Sequence, residues 1–196
     1  MWFIDIDLIG YYNYIRMRGA FMNNVFDNIY TRRSYRCYKP DAVPKDLIEK
    51  IVTAGTYAAT GMNKQSPIII AVTNKELRDR LSKLNASIMG RDDGSDPFYG
   101  APVVIIVLAQ KDVSTHVYDG SLVLGNMMLA AHECGLGSCW IHRAKEEFEL
   151  SECKALLNSL GVEGEYEGIG HLIVGYPDGD TPELRPRKDN YVYFVE

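Results

Sequence analysis

The chain has 196 residues, 46% hydrophobic and 24% charged, with 26 Asp and Glu against 21 Lys and Arg for a formal net charge of -5. That length suits one domain with a real core, and the composition excludes wholesale disorder and a membrane-protein class. The acidic balance also excludes a general nucleic-acid surface, so any local basic cluster needs a local explanation.

The opening MWFIDIDLIGYYNYIRMRGAF has apolar content, but Asp5, Asp7, Asn13, Arg16 and Arg18 interrupt it short of a membrane span. It lacks the basic start and small-residue cleavage site of a secretory leader. Residues 1–21 are therefore expected to be an N-terminal extension, and 22–196 the domain. From Asn24, the spacing of Val25, Phe26, Ile29 and Tyr30 predicts a short helix that runs into TRRSYRCYKP, residues 31–40. Pro44 suits a first helical turn, and Leu47, Ile48, Ile51, Val52, Gly55 and Ala58 follow on one stripe, predicting a helix to about residue 58. The β-branched run IIIAVT, 68–73, predicts a buried strand. Asn74 then caps a helix carrying Leu77, Leu81, Leu84 and Ile88.

A polar loop, RDDGSDPFYG at 91–100, precedes the strongest predicted strand, PVVIIVLA at 102–109. DGSLVLGNMMLAAHECG, 119–135, is apolar nearly all round, which predicts a central helix buried on most sides with Gly135 at its C-cap. SCWIH, 138–142, reads as a strand. KEEFELSECKALLNSLG, 145–161, reads as one surface helix with Leu150, Cys153, Leu156, Leu157 and Leu160 inward, and HLIVGYP as a last strand. The remaining tail starts irregular and ends in an alternating run, predicting an edge strand. Strands and helices do not alternate as a βαβ series, so the fold class is α+β.

His132, Cys134, Cys139 and His142 place four zinc-compatible ligands within eleven residues. The helix would splay His132 from Cys134, and paired knuckle spacings are missing, so buried free cysteines are the better reading and no metal is expected. Four cysteines without a disulfide framework or leader suit a reducing cytoplasm. GLG at 135–137 follows a helix and is not a dinucleotide fingerprint, and no nucleophile elbow or legible carboxylate pair occurs. Difficult chemistry would fall to a cofactor. The basic groups Arg32, Arg33 and Arg36, with Ser34, and Arg185, Arg187 and Lys188 in the tail, have two readings. They hold a phosphate through bidentate guanidinium contacts, or they are solvated and pair with nearby acids.

Four segments, in order, resemble the FMN-dependent nitroreductase family over about residues 23–196: TRRSYRCY, AATGMNKQSP, LAAHECGLGSCWI and GYPDGDTPELRPRK. The resemblance implies a mostly antiparallel central sheet flanked by helices, and a C-terminal tail reaching onto a partner subunit. It also implies a homodimer with FMN at the subunit boundary, contacting neither nucleic acid nor membrane. By that resemblance, Arg32, Arg33 and Ser34 hold the FMN phosphate and ribityl chain, Arg185 and Arg187 close on the phosphate, and Arg36 lies at the pyrimidine end, where a cation stabilises the reduced ring. Thr60, Gly61, Met62, Asn63 and Gln65 reach the flavin of the other subunit, while Ile141, His142 and Arg143 pass the N5 edge. No side chain is assigned as catalytic, since flavin N5 carries the chemistry.

The implied activity is ping-pong reduction of nitroaromatic, quinone or similar conjugated acceptors by NADH or NADPH. The alternatives are a specialised relative, such as a reductive dehalogenase or an enoyl or semialdehyde reductase, and a non-catalytic FMN-binding module. Phe98 or Tyr99 is a candidate for the open face of the ring. Departures from the family pattern include Ala59-Thr60 in place of Pro-Ser and His142-Arg143 in place of Glu-Gly.

Overall fold

The computed structural model describes residues 24–91 and 93–195, so the expected extension 1–21 lies outside the described residues. The described residues fall in two units that part between Arg32 and Arg33. In the first, helix α1 (Asn24–Thr31) stacks Phe26 on Tyr30 at 6.0 Å, and the Thr31 hydroxyl donates to the Asp27 carbonyl at 2.6 Å.

The second unit is built on one antiparallel sheet. Its strands are β1 (Pro67–Val72), β2 (Val103–Gln110), β3 (Gly137–Ile141) and β4 (Tyr166–Gly175), in the order β1-β2-β4-β3. β2 reads as a continuous apolar run because both of its faces are buried. Val103, Ile105, Val107 and Ala109 face α2 (Lys45–Thr56) and α4 (His116–Glu133). Val104, Ile106 and Leu108 face the opposite layer of α3 (Lys75–Ile88), α5 (Ala144–Glu149) and α6 (Ser151–Ser159). The result is helix, sheet, helix, as the α+β reading requires. Asn74 caps α3 as expected, its side chain accepting from the Leu77 N–H.

β4 carries a bulge. Val107 pairs with Gly170 and Leu108 with Gly168, leaving Ile169 as an extra residue. A side chain at Gly168 would collide with the Ala144 carbonyl, so glycine there lets the first turn of α5 settle directly on the strand. Outside the four strands, residues 33–38 lie beside β3 through a Ser34–Ser138 bridge, and a Tyr38–Pro177 bridge joins the segment to the chain after β4. Tyr35 N donates to Ser138 O at 3.1 Å and Lys39 N to Tyr176 O at 2.9 Å.

Three expectations are corrected. Residues 145–161 do not form one helix, because Leu150 is extended at φ -73 and ψ 143, separating α5 from α6. At about 100° per residue, a straight helix would put Phe148 and Leu157 on opposite sides; the break lets both reach the core, 2% and 8% exposed. α4 is buried on one face only within the chain, since Val117, Tyr118 and Leu122 are exposed on another. The tail forms no strand among its described residues, and Tyr191 to Val195 find no ladder partner within the single chain. No described helix is long and apolar enough to cross a membrane.

Candidate active site

A cleft of about 260 Å³ opens at the C-terminal end of β3. One wall is Cys139, Trp140 and Ile141 with the following His142 and Arg143; facing it are Met89, Arg91 and the Ser95–Pro97 turn with Tyr99, and Arg36 comes from the segment beside β3. Four of the expected site residues, Arg36, Ile141, His142 and Arg143, are therefore brought together. The bridge from Ser34 to Ser138 is what carries Arg36 to this edge of the sheet.

The wall is held from behind by a buried polar set that the sequence reading missed. Asn85, on the inner face of α3, donates to the His142 carbonyl at 2.9 Å and to Glu147 Oε1 at 2.5 Å. Glu147 Oε2 lies 3.1 Å from His171 Nε2, although neither atom has a hydrogen-bond partner of good geometry among the described residues. All three residues are fully buried. Their sequence signal was one polar residue at each core position of an otherwise apolar stripe, which is weak until the elements are in place. Arg143, just past this support, has φ +77, a left-handed conformation costing a non-glycine residue about 1–3 kcal/mol.

The opposite rim is fixed by Asp96. Its Oδ1 accepts from Ser82 Oγ at 2.6 Å and Phe98 N at 2.9 Å, and its Oδ2 from Arg78 Nη2 at 2.5 Å and Gly100 N at 2.7 Å. Burial pushes this carboxyl upward in pKa, but the hydrogen bonds from Arg78, Ser82 and the two amides outweigh it and hold it below the usual value. Phe98 is wholly buried beside His171, its ring centre 5.3 Å away, and is core rather than cleft lining; Tyr99, half exposed at φ +53, lines the cleft.

Thr60, Gly61, Met62, Asn63 and Gln65 are not in this cleft. They precede β1, on the opposite edge of the sheet, across three strand spacings or about 14 Å. Gly61 N donates to Asp119 Oδ1 at 3.0 Å, while Ser66 and Thr115 donate their hydroxyls to Oδ2 at 3.1 and 3.0 Å. Asp119, unassigned by the sequence, is thus the anchor of this loop; an acid inside an apolar helix was its only signal. Met62, Asn63 and Gln65 all have positive φ, so the loop is a held shape. Ser34 and Arg33 lie in the segment beside β3. Arg185 and Arg187 lie in the tail and do not line the cleft. Arg32 belongs to the first unit.

An antiparallel sheet between two helical layers, with a basic cleft at one strand end and strained loops at both sheet edges, defines a ligand-holding α+β domain. The family model that matches residues 29–176 is that of the nitroreductase family, and the chain belongs to that family. A protein of Archaeoglobus fulgidus, provisionally assigned as an NADH dehydrogenase/NAD(P)H nitroreductase, is 30% identical over 80% of this chain and 87% of its own length. One from Methanothermobacter thermautotrophicus, of the same provisional assignment, is 32% identical over 60% of each chain, so the match spans less than two thirds of that relative. Among solved structures, a nitroreductase with bound FMN from Bacteroides fragilis superposes with a TM-score of 0.80 at 29% identity, covering 89% of this chain and 100% of the other.

Proposed function

We propose that the chain is an FMN-dependent oxidoreductase that uses NADH or NADPH to reduce nitroaromatic, quinone or similar conjugated acceptors. The observation that carries this reading is the convergence of Arg36 with the Ile141–His142–Arg143 turn at one cleft of a nitroreductase-family fold. These residues fit a flavin: a guanidinium with no ion pair among the described residues, and a backbone turn locked from behind by Asn85. When bound, FMN supplies hydride exchange at N5.

The chain's own residues bind and orient. Arg36 offers positive charge where the reduced ring gathers negative charge, and stabilises it because the charge is already in place. Because Asn85 holds the His142 carbonyl and the peptide is trans, the Arg143 N–H is directed away from α3, available to a flavin nitrogen. Arg32, Arg33 and Ser34 serve the phosphate and ribityl end, with Arg185 and Arg187 closing over the phosphate. Donor and acceptor use the one open face by turns, which gives a ping-pong order.

The Thr60–Gln65 loop precedes the far edge strand of the sheet, and Arg185 and Arg187 do not line this cleft. They act across a homodimer, each reaching the partner's flavin, and the exposed apolar residues Tyr57, Met62, Tyr118 and Leu122 near α4 supply a contact surface. Four cysteines outside any disulfide suit an enzyme of the reducing cytoplasm. The domain is taken as 22–196.

The test is absorbance. The purified protein should take up FMN and turn yellow, and anaerobic mixing with NADH or NADPH should bleach it. Failure to take up FMN would overturn the reading, while bound flavin that neither nucleotide bleaches would make the protein a binding module.

A further inference from the structure

We propose that the acceptor served by this cleft is an organic anion, with a carboxylate or comparable negative group beside its reducible centre, received by Arg91, Arg143 and His142. This rests on the flavin reading, which already engages Arg36.

The cleft gathers three arginines and one acid in a protein of net charge -5. Arg36, Arg91 and Arg143 all line it, and none has an ion-pair partner among the described residues. Arg78 is paired to Asp79 and Asp96, and Arg80 to Glu152, whereas Arg185 and Arg187 in the exposed tail have no ion pair among the described residues. The single acid lining the cleft, Asp96, is itself ion-paired to Arg78, and its oxygens accept from Arg78, Ser82, Phe98 and Gly100. Asp93, in the same loop, does not line the cleft; it accepts from the Ser95 N–H at 3.0 Å, and Arg91 is the weakest of the influences that lower its pKa. The wall itself points the same way. A left-handed turn at φ +77 favours glycine, yet residue 143 carries a guanidinium there, at the rim, against the backbone's preference. An arginine held at such cost shares the cleft lining with His142 and Arg91, and guanidinium groups suit a carboxylate.

The experiment compares 4-nitrobenzoate with 4-nitrobenzamide, which has the same ring and size without the charge. Each is titrated calorimetrically into the oxidised, FMN-loaded protein at low ionic strength. Nitrobenzoate should bind about tenfold more tightly, the effect of one added charge-assisted hydrogen bond, and the margin should shrink as salt is raised. Arg91→Ala with Arg143→Gly, the latter suited to the turn, should remove the preference, and Arg143→Lys with Arg91 intact should keep most of it. Equal affinities for the two probes overturn the proposal, as does a preference that survives the double substitution. A preference for NADPH over NADH that disappears in the double variant, without any for nitrobenzoate, would assign the arginines to the donor's phosphate and also overturn it. Flavin absorbance is read first, so failure to load FMN is scored against the proposed function. The same two probes titrated into the flavin-free protein then judge the cleft alone, equal affinities again overturning the anion reading.

Discussion

Asn85 is a small side chain with two distant duties. Its amide supplies the donors for the His142 carbonyl, in the cleft wall, and for Glu147, in the next helix, in a place without solvent. Each acceptor left without a donor there costs about 1–3 kcal/mol, and more when it is charged. Asn85→Leu should therefore lower stability by about 3 kcal/mol in urea unfolding, and should release the turn that the cleft depends on. A loss under about 0.5 kcal/mol would mean that the two acceptors find other partners. This residue also marks a limit of reading by pattern. Leu77, Leu81 and Leu84 announced the inward face of α3, but an asparagine on that face carries no mark saying which carbonyl it will meet, because the carbonyl belongs to an element 57 residues away.

The rim loop behaves as an element organised by one carboxylate. Asp96 gathers two side chains and two amides, so its charged form is favoured in the folded state and its pKa lies below the ordinary value. The stabilisation is thus fully present above the unfolded pKa of about 4 and is lost as pH falls through the lowered folded value. Asp96→Asn should cost about 1–3 kcal/mol at pH 7 by leaving the Arg78 guanidinium, a nearly buried group, with only the more exposed Asp79 as its anion. The gap to the wild type should narrow toward pH 3, measured by urea midpoints at both pH values; a constant gap would place the loop's support elsewhere. At this scale much of the fold was legible. β1, β2, β3 and the N-cap of α3 followed from runs and punctuation that are local. The break at Leu150 was not, because α5 and α6 have separate inward faces and only the sheet beneath them decides that both must turn in.

For the whole molecule, what stands out is how much apolar surface the single chain leaves uncovered. Tyr191, Val192, Tyr193, Phe194 and Val195 are 63–99% exposed at the end of the tail, and α4 shows Tyr118 and Leu122. A run that alternates like a strand yet has no ladder in its own chain fits one that is completed by another copy, which is the homodimer proposed above. Deleting residues 190–196 should shift the protein toward monomer in sedimentation velocity at micromolar concentration and weaken its hold on FMN. A truncated protein that remains dimeric would free the tail from that role. The site was half legible for the same reason. Arg36 and Ile141–Arg143 meet within one chain, whereas Thr60–Gln65 stand across the sheet and Arg185 and Arg187 lie in the tail, an arrangement compatible with the expectation that Thr60–Gln65 serve the other subunit.

The extra residue at Ile169 settles a matter of parity. Along an unbroken strand, positions three apart look to opposite sides, yet Gly168 gives α5 its seat and His171 faces Glu147 on that same helix. The bulge supplies the odd step that makes both possible. Any chain of this design that loses one residue between 168 and 171 must surrender either the seat or the histidine, so the length of this stretch is under tighter constraint than the identity of the bulged residue itself.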